Sequence, residues 1–147
     1  MEADLKAAVN YLASRVDVRK EALGIIGWGL GGGYALDAAR QNPRLRAVVV
    51  CYGRLTTDAR LLGPMKASVL GIFAGKDEGI SAETIKQFRT AMRKAGKRLS
   101  GIHVYPEQRH GFMDPSDPAN SKGTPPEAAR DAWDRIETFF ARELSPE

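Results

Sequence analysis

The sequence predicts an α/β domain with a parallel sheet and helices on both of its faces. Three observations carry this. Short apolar runs alternate with helical patterns from end to end, the arrangement that strand–helix–strand crossovers require. The runs are apolar at successive positions rather than every second one, as in strands covered on both sides. Finally, a glycine-rich turn, residues 27–33, sits where the first strand passes into its helix.

The elements follow in order. Leu5, Ala8, Val9 and Leu12 recur at helical spacing, and Ala22 to Gly27 is a short buried strand closed by glycine. Tyr34, Ala35, Ala38 and Ala39 give the next helix an apolar side, which Asn42-Pro43 ends before the strand Arg46 to Tyr52. Gly53 to Pro64 reads as irregular with one helical turn, and Ser68 to Ala74 as the third strand. Ser81 caps a helix reaching Ala95, which Gly96 ends. Gly101 to Tyr105 is the fourth strand. A polar loop of about twenty residues follows, a length usually reserved for function. Thr124 and Pro125 open a last helix that buries Ala128, Ala132, Ile136, Phe139 and Phe140.

Composition bounds the function. With 147 residues, 43% hydrophobic and 27% charged, the chain reads as one ordinary globular domain over residues 1–147 able to build a core without staples. A single cysteine, Cys51, excludes an intrachain disulfide and any cysteine-clustered zinc site, and two histidines leave little for other metals. No cofactor is therefore expected. No apolar run approaches the roughly 20 residues of a membrane span, and a cytoplasmic protein is expected. The net charge of +4 has one concentration, Lys86, Arg89, Arg93, Lys94, Lys97 and Arg98. These lie mostly opposite Ile85, Phe88 and Met92 on a helix, so a solvated face explains them without nucleic acid.

Two motifs fit the glycine-rich turn. Gly27, Gly29 and Gly32 match the dinucleotide fingerprint G-x-G-x-x-G. That reading needs an acidic residue at the end of the second strand, where Cys51-Tyr52-Gly53-Arg54 has none, although Arg54 could meet a 2′-phosphate. The competing motif is the nucleophile elbow G-x-S-x-G, whose small residues Gly27-Trp28-Gly29-Leu30-Gly31 supplies without the nucleophile. Asp77 after the third strand and His110 after the fourth complete the chain order nucleophile, acid, histidine. A dinucleotide site has no need of that pair.

On these residues the chain resembles the dienelactone hydrolases of the α/β-hydrolase fold. Gly27 to Gly32 resembles the family's G-x-C-x-G-G elbow, Gly75-Lys76-Asp77-Glu78-Gly79-Ile80 its acid-bearing turn, and Tyr105 to Phe112 its histidine loop. Cys51-Tyr52-Gly53 and the closing helix with Trp133, Phe139 and Phe140 are similar too. The resemblance implies a three-layer sandwich of about four parallel strands, truncated by the absence of the family's earlier strands. It implies hydrolysis of small carboxylic esters or lactones, with His110 as base, Asp77 orienting it and the Leu30 amide in the oxyanion hole.

Three departures accompany it. Gly29 stands where the family carries its nucleophile, and losing that group costs on the order of 10⁶ in kcat. The loop that gives the second oxyanion amide belongs to the strands the chain lacks. Asp114 lies near where the family holds a substrate carboxylate with an arginine, so dienelactone itself is disfavoured. A non-catalytic binding protein on the same scaffold is the alternative. Other residues carry plainer readings: Asp77 could only brace its turn, Glu78 competes for the acid role, His103 packs within or beside its strand, and Cys51 is a buried thiol. Trp28 lines the pocket or packs beneath it, and Arg109 is a substrate-facing cation or a surface residue. Without its neighbours the strand Ala22–Gly27 becomes an open edge, which predicts a homodimer through that edge or through the Leu5–Leu12 helix laid across it.

Overall fold

The computed structural model describes residues 1–117, 120 and 127–146. Its elements are α1 (Glu2–Ser14), β1 (Leu23–Trp28), α2 (Leu30–Gln41), β2 (Leu45–Cys51), α3 (Ala59–Leu62), β3 (Ser68–Ala74), α4 (Ala82–Lys94), β4 (Leu99–Tyr105) and α5 (Glu127–Glu143). All four strands pair in parallel, in the order β1-β2-β3-β4. Strand ends move by one or two residues from the sequence reading, within the fraying expected of any boundary. Trp28 joins β1 through its register partner Cys51. The cap expected at Thr124 and Pro125 lies outside the described residues.

Alternation along the strands divides the core. Val48, Val50, Val69 and Phe73 face one side, where they pack with Ala35, Leu36 and Ala39 of α2 and Ile85, Phe88 and Met92 of α4. Ala47, Val49, Cys51, Leu70 and Ile72 face the other, against Ala129, Ala132, Ile136 and Phe139 of α5. Both sides of β2 and β3 are therefore dry, which is why their sequences show no polar alternation. The result is a helix–sheet–helix sandwich.

Two helices need comment. Ser81 Oγ accepts the Thr84 amide at 3.1 Å, and Gly96, at φ 63°, lies just beyond the end of α4. Lys86, Arg89, Arg93, Lys94 and Arg98 are exposed and Lys97 is half-buried, the solvated face read from the sequence. In α1 the expected apolar side is narrower than its spacing suggests: Val9 is buried and Leu5 partly so, but Ala8 and Leu12 face out. Among the described elements α1 packs chiefly on α2, and one neighbour covers only one stripe of a helix.

Candidate active site

Parallel register brings the carboxyl ends of the strands to one edge of the sheet, where loops of α/β folds hold ligands. Trp28 pairs with Cys51, Cys51 with Ile72, and Ala74 with Tyr105. The residues that follow these ends, Gly29, Tyr52, Asp77 and His110, emerge together.

The first turn is tight. A Cβ on Gly27 would lie 2.1 Å from the Gly31 carbonyl oxygen, so the helix can only start this close to β1 over a glycine. Gly29 is the N-cap of α2 at φ 52° and ψ −121°, a conformation that residues with side chains adopt only under strain. Its amide donates to Cys51 O at 2.9 Å, and its carbonyl accepts the Gly32 amide at 3.0 Å. These bonds hold the turn so that a side chain at position 29 would leave the backbone above the sheet. Leu30 opens α2, so its amide is one of the first-turn N–H groups with no partner inside the helix. Its side chain is exposed.

Asp77 is held from below. One carboxylate oxygen accepts the amides of Gly79 at 2.8 Å and Ile80 at 3.2 Å. The other lies 2.7 Å from His110 Nδ1. Asp77 thus braces its own turn and also binds the histidine. Its side chain is 2% exposed, whereas that of His110 is 53% exposed. With Nδ1 on the carboxylate, Nε2 is left at the open side, 3.4 Å from the point a Cβ on Gly29 would occupy. Glu78 is exposed.

Above this pair lies a cavity of about 470 Å³, open to solvent, with Trp28, Tyr52, Met113, Asp114 and Trp133 among its walls. Trp28 and Trp133 pack ring against ring at 5.8 Å. Arg109 is exposed and is not among the lining residues. Asp114 Oδ1 accepts the Ser116 hydroxyl and amide at 2.7 and 2.8 Å, bonds that hold its carboxyl below the usual range.

Tyr52 was not singled out by sequence reasoning, although it follows a strand end just as Gly29 does. Its φ of 37° lies in the left-handed region. That turn carries the ring edge-on to His110 at 5.0 Å and against Phe112 at 5.7 Å. Burial pushes its hydroxyl above the usual phenol range. Cys51, one residue earlier, is fully buried, and burial pushes its thiol up to about 12, away from the thiolate form that reacts. His103 is half-buried on β4, away from the pair, with burial lowering its pKa. Arg54 donates to Asp37 at 2.6 Å, which commits the cation that a dinucleotide site would have used. Among the described residues no cluster of His, Cys, Asp and Glu side chains could hold a metal ion, and no helix is long and apolar enough to cross a membrane.

Comparison with known proteins gives the family and the fold. The description "Dienelactone hydrolase family" matches residues 1–144. The chain belongs to the dienelactone hydrolase family. A protein of Methylorubrum extorquens named "Putative carboxymethylenebutenolidase" is 35% identical over 147 residues, covering 94% of this chain and 49% of that protein. One of the same name from Escherichia coli K12 is 32% identical, covering 94% and 52%. The chain spans about half the length of the curated relatives it matches. The crystal structure of a "Putative Dienelactone Hydrolase" from Klebsiella pneumoniae superposes with a TM-score of 0.80 at 30% identity, covering 96% of this chain and 60% of that one. A dienelactone hydrolase-like promiscuous phosphotriesterase from metagenomic libraries gives a TM-score of 0.84, covering 98% and 62%; at 22% identity it speaks for the fold alone.

Proposed function

We propose that this dienelactone hydrolase family member carries a site for small carboxylic esters or lactones in which the acid–histidine pair is intact and the nucleophile position is Gly29. The observation that carries the reading is the line from Asp77 Oδ2 through His110 to the space above Gly29, with distances of 2.7 and 3.4 Å. Asp77 fixes the imidazole with Nδ1 inward and stabilises its charged form. Nε2 then faces the place where a carbonyl would be attacked. In this reading the Leu30 amide, at the positive end of α2, receives the developing oxyanion. The aromatic walls supply apolar contact for the acyl or leaving group.

Attack by a side chain at position 29 is impossible as the sequence stands, so turnover by an acyl-enzyme route is expected to be very low, down by on the order of 10⁶. Water activated by His110 is the remaining hydrolytic route. One buried cysteine is the usage expected in a reducing cell interior, and we place the protein in the cytoplasm on that ground.

The test is restoration of the nucleophile. Gly29→Cys and Gly29→Ser chains are treated with an electrophilic ester probe beside the unchanged chain, whose Cys51 is buried. Stoichiometric labelling at position 29 in either variant, with none in the unchanged chain, is the expected result. Absence of adduct in both would leave a binding protein on a hydrolase scaffold as the better reading.

A further inference from the structure

Resting on the site reading above, we propose a further activity: the pair Asp77–His110 accepts its nucleophile from solution, and a small thiol bound over Gly29 is acylated by an ester or lactone held in the aromatic cavity. The site would then act as an acyltransferase to thiols.

The argument starts from what surrounds position 29. Among the described residues outside the turn, His110 Nε2 alone comes within 4 Å of the Cβ point of Gly29. A free nucleophilic atom can therefore touch the Gly29 Cα and His110 Nε2 together at ordinary contact distance, somewhat further into the cavity than a side-chain atom would sit. That place has an acceptor for its proton, Nε2, and lies at the start of α2, whose Leu30 amide has no partner inside the helix. It also opens on apolar surface, since Trp28, Tyr52, Met113 and Trp133 form the walls.

The choice of a thiol over water follows from acidity and surroundings. A simple thiol ionises near 8.5, whereas free water has a pKa of about 15.7, so an imidazole base deprotonates the thiol far more readily. A thiol also brings carbon to the aromatic walls, which gives it a reason to reside there that water lacks. The step balances as follows. His110 Nε2 takes the S–H proton while sulfur bonds to the carbonyl carbon. The resulting oxyanion rests on the Leu30 amide. Collapse breaks the carbon–oxygen bond, and His110 returns the proton to the leaving oxygen. An ester and a thiol become a thioester and an alcohol, with no oxidant or reductant involved. Leaving oxygens of low basicity, as in aryl or enol esters, drive the exchange forward.

The experiment uses the full chain, p-nitrophenyl acetate and 2-mercaptoethanol, with thioester measured by chromatography against the same mixture without protein. The expected result is thioester formation that saturates with thiol concentration. His110→Ala should remove roughly 10²-fold or more of that rate, the span of general-base catalysis, and Asp77→Asn should act in the same direction. A Cys51→Ala version should retain it, which excludes the chain's own thiol as the carrier. Thioester formation equal to the protein-free reaction, or undiminished by His110→Ala, overturns the proposal. Gly29→Cys separates this failure from a larger one. If that variant takes up an ester probe while the unchanged chain shows no thiolysis, the site reading stands and external thiol is not its nucleophile. If neither reaction occurs, both fall.

Discussion

His110 Nε2 lies 3.4 Å from the point where a side chain on Gly29 would begin, and the backbone at Gly29 already has the φ of 52° of a strained turn. Space and chemistry favour a nucleophile there, whereas backbone energy favours glycine. Gly29→Ser should consequently cost stability of about 1–3 kcal/mol, the usual size of such strain, while gaining reaction with an ester probe. Urea unfolding of the two chains measures the first effect. Equal midpoints and slopes would show that a side chain is carried at this turn without strain.

Asp77 provides a separation of roles. Its Oδ1 accepts two backbone amides and its Oδ2 faces His110. In Asp77→Asn the carbonyl oxygen can keep the amide bonds, but the histidine loses the charge that stabilises its protonated form. In a Gly29→Cys background the labelling rate should fall by roughly 10²–10⁴, with little change in unfolding. A comparable loss of stability and labelling would mean that Asp77 serves only its turn.

Asp114 should tune substrate charge. Its hydrogen bonds to Ser116 keep it ionised in the wall of the cavity, and Arg109 does not line that cavity to offset it. In the Gly29→Cys chain, neutral aryl esters should react faster than analogues carrying a carboxylate. Asp114→Asn should narrow the gap by about 2–10-fold, the scale of one charge interaction in a wet site. No change in the ratio would remove Asp114 from any role in selection.

The two ion pairs made by Asp37 of α2 predict a pH dependence. Burial alone would raise the Asp37 carboxyl, but hydrogen bonds from Arg40 and Arg54, both 2.6 Å, outweigh it and hold it below its ordinary value. A carboxyl whose folded pKa is depressed contributes stability above its unfolded pKa of about 3.9 and loses it as pH falls through the lower folded value. Asp37→Ala should cost about 2 kcal/mol at pH 7, allowing for the exposure of Arg54. The gap between the two chains should narrow below about pH 4. Denaturant unfolding at pH 7 and pH 3 reads both, and a gap that stays constant would exclude the linkage.

β1 is the end strand of the sheet in this chain, and an apolar strand with an unpaired edge favours addition of a second copy. We expect a two-fold dimer through Ala22–Gly27 or through α1 laid across it. Light scattering after size exclusion should give twice the mass of one chain at micromolar concentration; a single-chain mass would mean that the edge is covered from within.

The sheet was legible because burial on both faces writes itself as uninterrupted apolar runs such as Val48-Val49-Val50. The pairing of Asp77 and His110 was legible only through motif order, since no local pattern states that loops after β3 and β4 meet. Tyr52 escaped because its contribution depends on a left-handed backbone, and nothing in Cys51-Tyr52-Gly53 announces which residue bends. Arg109 lies outside the lining of the cavity. A cation beside a histidine looks useful in sequence, yet within a loop adjacent side chains diverge, and this one faces solvent. The outward turn of Ala8 and Leu12 is similar, because spacing defines a helix side but its neighbours decide how much of it is covered.

The strand order β1-β2-β3-β4 also sets a timetable for synthesis. Each strand pairs with the one made just before it, so the sheet can grow while the chain is still being produced, and the elbow can form before the histidine exists. Asp77 and His110 are 33 positions apart, a stretch that takes roughly two to seven seconds to translate at about 5–20 residues per second. Until Leu99–Tyr105 has been made, β3 therefore has an apolar edge with no partner strand within the chain.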